Sequence, residues 1–560
     1  MTMAQETSTR DLRAGIWARW IRAAMLAGGV LLVVLVAAAA LAAIRGGRTP
    51  GPAQIQVGVA GLLLVAAGLG RGPSRVVAGV LARARDRGPV HLVPLTSRGR
   101  AAIGAIVLLA LTFRIAMVAT YWPRPANQIV MGMALWDAEM ARNLLEGRGW
   151  LLNWEFVQRM DRGLVERGAM VDPQDYLPAD DSRPGALAPF REYAHTPGYA
   201  VWLAISFALG GAQRFVYSQW MQSALDACAC LLVFGIGRRL WSNTAGAIGA
   251  LLYAVSPAHV YLAIQTVAAA TDSFWLLLVA YGTVRLWHDQ QRGRGAWPGV
   301  AAVTLGAFGG TLMNSSAFIL PVVAAAWAAV VGTVARPAWR VVPYLLAAQV
   351  ALVLLMTPWA LRNQRVYGQL SFTRQTFWQF AWETLGGVPN PWGLAMGDND
   401  TVYWNWVRQH CAAPCTPAQR ETVTRNDLFA RVIPSPAFPA HMLRLVAHQL
   451  PGLVYTSRLP ADRPYTGTGV GGRAMRTALT VLNGLALLMW PATTLGLALV
   501  TVRGAPGAGA WLGLAATLFV LTFSLAFLVE PRRTTTAYGY CLALSAIAGA
   551  ALIERRAEDH

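Results

Sequence analysis

The stretch WDAEMARNLLEGRGW, residues 136 to 150, contains two neighbouring carboxylates in a helix-like run directly after a strongly apolar segment. A carboxylate such as Asp137 or Glu139 can act as a general base when it lies within hydrogen-bond reach of a hydroxyl group. Each of these carboxylates also has a purely structural role as an alternative to catalysis. Asp137 can cap or solvate a surface helix, and Glu139 can pair with Arg142 three residues later.

A further carboxylate, Asp272 in ATDSFW, stands where an apolar segment of spanning length begins. A charge at that depth is costly unless it has a partner or faces a cavity, which favours a functional role. Asp is also a preferred helix N-cap, so a structural role remains open. Asp226, deeper in the sequence LDACAC, requires a polar partner or a proton for the same energetic reason.

Two acid pairs, Asp180/Asp181 and Asp398/Asp400, occur in loops rich in Gly and Pro. Carboxylates suit Mg²⁺, Ca²⁺ or Mn²⁺, so a divalent metal is possible. Solvated turn residues are the favoured interpretation of both pairs. No pattern requires a metal or another cofactor.

The composition is that of a membrane protein. Apolar residues make up 55% of the 560 residues, charged residues only 13%, and the mean hydropathy is +0.41. A soluble chain of this length carries far more charge. The net charge of +20 could suggest nucleic acid, but the arginines gather in short loops between apolar segments. This is the positive-inside pattern of a polytopic membrane protein, so no nucleic-acid partner is expected.

Twelve apolar segments approach the length of a membrane-spanning helix, about 20 residues. They lie at 23–44, 54–70, 101–121, 214–237, 244–263, 271–287, 297–313, 317–335, 341–359, 476–501, 508–529 and 534–553. The loop 71–100 carries seven arginines and one acid, which predicts a cytoplasmic position, and alternation then places the later arginine-rich loops on that side. The apolar segment 197–211 is short, and counting it as a span would break this alternation. We therefore predict a helix on the outer membrane surface there.

The predicted fold class is an all-α polytopic membrane protein. Residues 1–100 form a two-span extension with a basic cytoplasmic loop, and 101–360 form a core module that includes a first outer region at 122–213. Residues 361–475 form a second outer region, and 476–560 a three-span C-terminal segment. Cys411 and Cys415 in QHCAAPCTP fall in the second outer region, where a local disulfide is favoured over a metal site.

Several motifs follow one another in a recognisable order: ARNLLEGRGW, HTPGYAVWLAISFALGG, SQWMQSALDACACLLVFGIGRRLW, GALLYAVSPAHVYLAIQTVAAATDSFW, TPWALRNQRVYGQL and VEPRR. Together they resemble the GT-C glycosyltransferases that use polyprenyl-phosphate sugars, especially the protein O-mannosyltransferase and lipid A aminoarabinose transferase branch. The resemblance covers about 101–550. It implies a GT-C type transmembrane bundle, of about 12 spans here, with extracytoplasmic juxtamembrane helices and loops.

The resemblance also implies direct displacement at the anomeric carbon of the sugar, with a carboxylate after the first core span as the base. In most relatives that Asp lies eight residues before the Ala of the ARNL-like stretch, where this chain has Met133. Asp137 lies four residues later, one turn along the same helix face. We therefore predict Asp137 as the base and Glu139 as the second candidate. Asp272 stands where relatives often carry an acid and is the third catalytic candidate.

Cationic side chains would hold the departing phosphate. His195 occupies the place where the aminoarabinose transferases carry a Lys, and Arg362 belongs to an Arg-Asn pair that relatives place at the lipid phosphate. Arg532 in EPRRTTT has a similar interfacial position. Structural roles, such as a headgroup contact by Arg362, remain open. Tyr199 and Asn363 are predicted to line the substrate pocket.

The predicted function is transfer of a sugar from a polyprenyl-phosphate carrier to a hydroxyl of a glycan, lipid or protein acceptor. The reaction would take place in the bilayer, at the outer face of the bacterial cytoplasmic membrane. Two alternatives remain. A non-catalytic GT-C-like protein that binds lipid or glycan would agree with Met133, whereas a transporter of lipid-linked glycans would show polar residues in many spans and paired repeats.

Overall fold

The computed structural model describes most of the chain from residue 92 onward. The described residues are 80–84, 90, 92–120, 129–130, 132–152, 170–171, 190–191, 196–211, 215–368, 370–373, 377–395, 401–411, 415, 417–454, 489–526 and 531–559. The predicted spans 23–44 and 54–70, both acid pairs and His195 lie outside these residues. Almost all regular structure in the described part is helical, which confirms the predicted fold class.

The first half of the described chain forms eight helices. They are α1 Ser97–Thr120, α2 Gly132–Leu145, α3 Gly198–Gly210, α4 Phe215–Leu240, α5 Asn243–Ala254, α6 Pro257–Ala263, α7 Ala269–Gln291 and α8 Trp297–Met313. Four two-residue strands accompany them: β1 Ile129–Val130 runs parallel to β3 Met170–Val171, and β2 Leu151–Leu152 runs antiparallel to β4 Phe190–Arg191.

The second half adds further bundle helices and a group of shorter ones. The helices are α9 Leu320–Val334, α10 Val342–Tyr367, α11 Phe377–Leu385, α12 Thr401–His410, α13 Pro417–Asp427, α14 Phe438–Val454, α15 Met489–Val502, α16 Ala505–Ala526 and α17 Pro531–Asp559. Short 3₁₀ helices, Ser315–Ile319 and Arg336–Val341, precede α9 and α10, and a π-helical turn, Leu428–Val432, follows α13.

Six helical segments of the described part are long and apolar enough to cross a membrane. They are Ser97–Ala119, Phe215–Leu240, Ser315–Val334, Pro337–Val366, Pro506–Phe523 and Thr535–Arg555. The pair α5 and α6 makes a seventh if it counts as one span bent by 57°. The chain is therefore a multi-pass membrane protein, while the total of about twelve spans remains a prediction. Helix α3 has 13 residues, about 20 Å, which is shorter than a bilayer core.

Two apolar cores hold the bundle together. The first lies between α4, α5, α7 and α17 and is rich in small side chains, such as Ala229, Ala250 and Ala543. The second lies between α7, α8, α9, α10 and α16. Small residues let helix backbones approach closely, which is how helices associate when lipid replaces water outside them. Helix α7 belongs to both cores and is therefore a central element of the bundle.

The second outer region has an apolar core of its own. Trp382 of α11, Tyr403 of α12 and Leu428 after α13 are buried together in it. Cys411 and Cys415 form a disulfide with a Cα–Cα distance of 5.8 Å. Helix α14 packs against α16, so this region rests directly on the transmembrane bundle.

Candidate active site

Asp137 lies on the buried side of α2 and is only 5% exposed. Trp136, Met140 and Ala141 share the apolar cluster that joins α2 to α3. The Gly-Arg-Gly sequence ends the helix, because Gly147 and Gly149 take φ values of +74° and +78°, which residues other than glycine rarely adopt. A turn built in this way redirects the chain immediately before Trp150.

Tyr199 of α3 lies next to Asp137, within direct electrostatic range of its carboxylate. The phenol is fully buried, and Ser218 and Gln222 of α4 lie within interaction range of its hydroxyl. Burial raises the pKa of Tyr199, and the neighbouring Asp137 charge raises it further. Tyr199 is therefore a neutral phenol that connects the predicted base to a polar row on α4.

Glu139 is completely buried and is held by its own helix. Arg142 donates from Nε and Nη2 to the two carboxylate oxygens, each at 2.9 Å, and Asn143 Nδ2 donates to Oε1 at 3.0 Å. The structure thus provides the Glu139–Arg142 ion pair that the sequence offers as the alternative to catalysis. Since its oxygens are occupied, Glu139 is less available than Asp137 to accept a substrate proton.

The polar row on α4 supports the connection that leads into α7. Ser218 donates to Gln222 Oε1 at 3.0 Å, and Gln222 Nε2 donates to the carbonyl of Gln265 at 2.8 Å. Gln219 Nε2 likewise donates to the carbonyl of Ile264 at 2.8 Å. The sequence interpretation missed these glutamines, although their i, i+3 spacing inside an apolar segment was an available signal.

Asp272 sits in the first turn of α7 and is 9% exposed. It is not the N-cap of the helix, because α7 begins at Ala269 and Ala268 occupies the cap position. Its Oδ2 accepts a hydrogen bond of 3.1 Å from Nδ2 of Asn314, the residue directly after α8. The sequence alternative of a capping role for Asp272 is therefore wrong.

A cleft opens beside Asp272, with about 550 Å³ of empty space that includes its opening to solvent. Its polar lining consists of Asp272, Asn314, Ser316 and Thr536, and the rest of its lining is apolar. The apolar lining comes from α7, α8, α9 and α16 and includes Trp275, Leu276, Leu320, Phe519 and Phe523. Such a cleft offers one carboxylate at the edge of a space that an apolar chain could occupy.

A close backbone contact links the surroundings of the two predicted acids. A Cβ atom on Gly198 would lie 2.5 Å from the carbonyl oxygen of Leu312, so only glycine fits between α3 and the end of α8. Tyr199, beside Asp137, directly follows Gly198, and Asn314, which binds Asp272, comes two residues after Leu312. The elements that carry Asp137 and Asp272 therefore meet at this contact.

Arg362 lies near the C-terminal end of α10 and packs on the ring of Trp359, 4.7 Å from its centroid. Trp150, the last residue of the opening stretch, meets the same ring edge-on at 5.4 Å. Arg362 Nη1 donates to Asn363 Oδ1 at 3.0 Å, and Asn363 Nδ2 donates to the carbonyl of Ser371 at 2.8 Å. Asn363 is only 3% exposed, so it anchors Arg362 and the chain that follows α10.

Arg532 belongs to the first turn of α17, although its side chain is not among the described ones. Thr536, one helical turn later, lines the cleft beside Asp272. A phosphate contact by Arg532 remains a prediction, as does the role of His195. Within the described ranges, no group of three or more His, Cys, Asp or Glu side chains lies close enough to hold a metal ion.

All three predicted carboxylates are thus shielded from bulk water, and their elements adjoin one another at one end of the bundle. Asp137 is the candidate for proton transfer. Asp272 borders the cleft, and Arg362 supplies a guanidinium on α10, which packs against α8. This arrangement combines buried carboxylates, a guanidinium and an apolar cleft in adjoining elements.

Residues 194–360 match the family model described as dolichyl-phosphate-mannose-protein mannosyltransferase. The matched segment runs from the start of the HTPGYA motif through most of α10 and includes Tyr199 and Asp272. The predicted resemblance to GT-C glycosyltransferases is thereby confirmed for this segment, and glycosyl transfer is the activity of that family. No curated protein sequence is significantly similar to the chain.

Two solved GT-C proteins resemble the chain weakly in structure. The oligosaccharyltransferase AglB from Archaeoglobus fulgidus, in complex with an inhibitory peptide and a dolichol-phosphate, has a TM-score of 0.46 and 13% identity. That comparison covers 82% of this chain and 51% of AglB, so the chain spans about half the length of that protein. ArnT from Cupriavidus metallidurans in the apo state has a TM-score of 0.34 and 11% identity, with coverage of 82% and 78%.

Proposed function

We propose that this chain is a membrane glycosyltransferase that moves a sugar from a polyprenyl-phosphate carrier to a hydroxyl acceptor. The observation that carries the proposal is the family match over 194–360 together with the adjoining positions of Asp137, Asp272 and Arg362 at one end of the bundle. The match supports the reaction class, and the geometry supports which residues perform it.

Asp137 would accept the proton of the acceptor hydroxyl. As the proton leaves, the hydroxyl oxygen forms a bond to the anomeric carbon, and the bond from that carbon to the phosphate oxygen breaks. The burial of Asp137 supports this role, because bulk water is excluded from the place where an acceptor hydroxyl would meet the carboxylate. Tyr199 would help to hold Asp137 in place.

The departing polyprenyl phosphate carries the negative charge that develops during the reaction. Arg362 would hold it, with His195 and Arg532 as further candidates. A planar guanidinium can donate two parallel hydrogen bonds to phosphate oxygens, and such bonds are strongest in a partly dry site. The stacking of Arg362 on Trp359 and its bond to Asn363 support this role by restricting the orientation of the guanidinium.

The cleft beside Asp272 suits the prenyl chain of the donor. Its apolar lining from α7, α8 and α16 supports this, because a prenyl chain packs favourably against apolar side chains. Asp272, fixed by Asn314, would then face the sugar end of the donor. The arginine distribution supports a site on the outer face of a bacterial cytoplasmic membrane.

The test is a deletion strain complemented with wild type, Asp137→Ala or Asp427→Ala. Asp427 pairs with Arg431 in the second outer region and serves as a matched acidic control. Mass spectrometry of the cell-envelope glycans would show one sugar missing in the deletion strain and with Asp137→Ala, and restored with Asp427→Ala. Membrane abundance and melting temperature establish that both variants fold.

Unchanged glycans in cells that carry a folded Asp137→Ala variant would contradict catalysis by this residue. They would instead favour a non-catalytic protein that binds lipid or glycan, the alternative that Met133 supports. Accumulation of a complete lipid-linked glycan at the inner leaflet of the deletion strain would favour a transporter.

A further inference from the structure

The end of the bundle remote from Asp272 carries a concentrated positive charge. The basic cluster consists of Arg238 and Arg239 at the end of α4 and Arg285, Arg292 and Arg294 at and after the end of α7. Arg285 lies thirteen residues after Asp272, about 20 Å farther along α7. Asp289 accepts a hydrogen bond of 3.3 Å from Arg285 Nε and also lies within electrostatic range of Arg239 and Arg292. Among the described residues, one carboxylate thus faces five guanidiniums in this cluster, so positive charge dominates it.

The two helix ends that carry the cluster touch each other. A Cβ atom on Gly235 would lie 2.5 Å from the ring of Tyr281, so α4 and α7 are in close contact one turn before their basic ends. The Arg239 guanidinium lies on that ring, 4.7 Å from its centroid. Arg239 is in electrostatic range of both Arg238 and Arg285. Like charges held this closely repel one another unless an anion lies between them.

Some donors in the cluster bind backbone carbonyls, whereas two buried ones have no acceptor among the described residues. Arg238 Nη2 donates to the carbonyl of Val93 at 2.7 Å, and Arg292 donates to the carbonyl of Val90. The Nε atoms of Arg238 and Arg239 are buried, yet neither has a hydrogen-bond partner among the described residues. A buried guanidinium donor without an acceptor is costly, so these two atoms are suited to receive an anionic ligand.

We propose that the basic cluster binds the phosphate headgroup of an anionic phospholipid. The planar guanidinium forks match phosphate oxygens, and basic sites between transmembrane helices on the cytoplasmic side are typical positions for such headgroups. Trp297, three residues after Arg294, is 70% exposed, as expected for an interfacial tryptophan beside lipid. Topology alone explains an excess of arginines here, but not buried guanidinium donors without acceptors.

The test uses the purified full chain in nanodiscs of phosphatidylcholine, with or without phosphatidylglycerol. Phosphatidylglycerol should raise the melting temperature of the wild type, and native mass spectrometry should detect it as a retained lipid. Replacing Arg239 and Arg285 by Gln should weaken retention about fivefold for each arginine removed. R239K/R285K keeps the charge and should retain part of the binding. Arg100→Gln, an exposed arginine at the start of α1, is the control and should bind as the wild type does.

R294Q is the second variant, in case R239Q/R285Q fails to fold. Arg294 is exposed, so its replacement should weaken lipid retention without a change in fold. Equal retention by wild type, R239Q/R285Q and R294Q would overturn the proposal. Inorganic phosphate at about 10 mM is in tenfold excess over the Kd of a weak site, about 1 mM. If phosphate at this concentration stabilises the protein in phosphatidylcholine alone as much as phosphatidylglycerol does, the assignment to a lipid is overturned. Neither readout requires sugar transfer, so the result is independent of the proposed function.

Discussion

Arg114 and Asp226 form an ion pair inside the transmembrane bundle, with Arg114 Nε donating to Asp226 Oδ2 at 2.6 Å. Both side chains are almost completely buried, 0% and 3% exposed. Tyr253 donates to the other carboxylate oxygen at 2.5 Å, and Arg114 Nη1 donates to the carbonyl of Ala254 at 3.1 Å, where α5 ends and the chain bends into α6. The pair therefore joins α1 to α4 and stabilises the bend.

Asp226→Asn should lower the free energy of unfolding by about 3–5 kcal/mol, because it leaves the buried Arg114 charge without compensation. The double variant R114Q/D226N should recover most of this loss, since no buried charge remains. Thermal unfolding in detergent micelles measures both effects. A double variant as unstable as D226N would contradict this account.

Asp137→Asn and Glu139→Gln should separate the two neighbouring acids. Asp137→Asn should reduce sugar transfer by about 10²–10⁴-fold, the usual contribution of a general base. Glu139→Gln should instead lower stability by roughly 1–3 kcal/mol through weaker bonds to Arg142 and Asn143, with activity within about tenfold of wild type. Turnover and melting temperature, measured on the same preparations, distinguish the two roles. The opposite pattern would assign the base to Glu139.

Gln222→Met should lower the rate of transfer without a comparable change in donor KM. The substitution removes the bond to the Gln265 carbonyl but keeps the length of the side chain, so the start of α7 and Asp272 lose support. Gln349→Met is the control, because Gln349 Oε1 in α10 accepts no hydrogen bond from the described residues. An equal effect of the two substitutions would contradict a positioning role.

Arg362→Gln should weaken the binding of undecaprenyl phosphate by about 10–100-fold, the value of one charge-assisted contact. Arg362→Lys should retain part of the affinity but lose the bidentate geometry. Arg365→Gln, exposed one turn later on α10, should bind as the wild type does. Titration of the purified protein with the lipid, followed by tryptophan fluorescence, measures the change. Unaltered binding by Arg362→Gln would remove this residue from the phosphate site.

His441 should make the second outer region sensitive to acid. Burial lowers the pKa of His441, and nearby Arg444 adds to this, although the contact of Nε2 with the Leu385 carbonyl opposes it. Below a pH of about 6.5, His441 takes up a proton in the unfolded chain but resists protonation in the folded chain. The folded state therefore has its full stability above that pH and loses part of it as the pH falls. His441→Gln should flatten the dependence of melting temperature on pH between about 7 and 5.

The control for this prediction is His448→Gln, an exposed position on the same helix, α14. It should leave the dependence of melting temperature on pH as in the wild type. A His441→Gln protein that loses stability in acid as steeply as the wild type would contradict the role of His441.

The sequence by itself determined the helical membrane class, the non-spanning length of the 197–211 segment and the family resemblance that the family match bears out over 194–360. Each of these depends on local properties, such as runs of apolar residues, arginines in loops and motifs in order. The Glu139–Arg142 pair and the bond between Cys411 and Cys415 are also local, since their partners are three and four residues apart.

Only the tertiary structure decided the long-range partners. Asp226 meets Arg114 across 112 residues, and Asp272 meets Asn314 across 42. Trp150 meets Trp359 from an element more than 200 residues away in the chain. Hydrophobic periodicity specifies which face of a helix is buried, but not which helix covers it. The partner of each polar group depends on how the helices pack, and that packing brings the predicted acids and Arg362 to one end of the bundle.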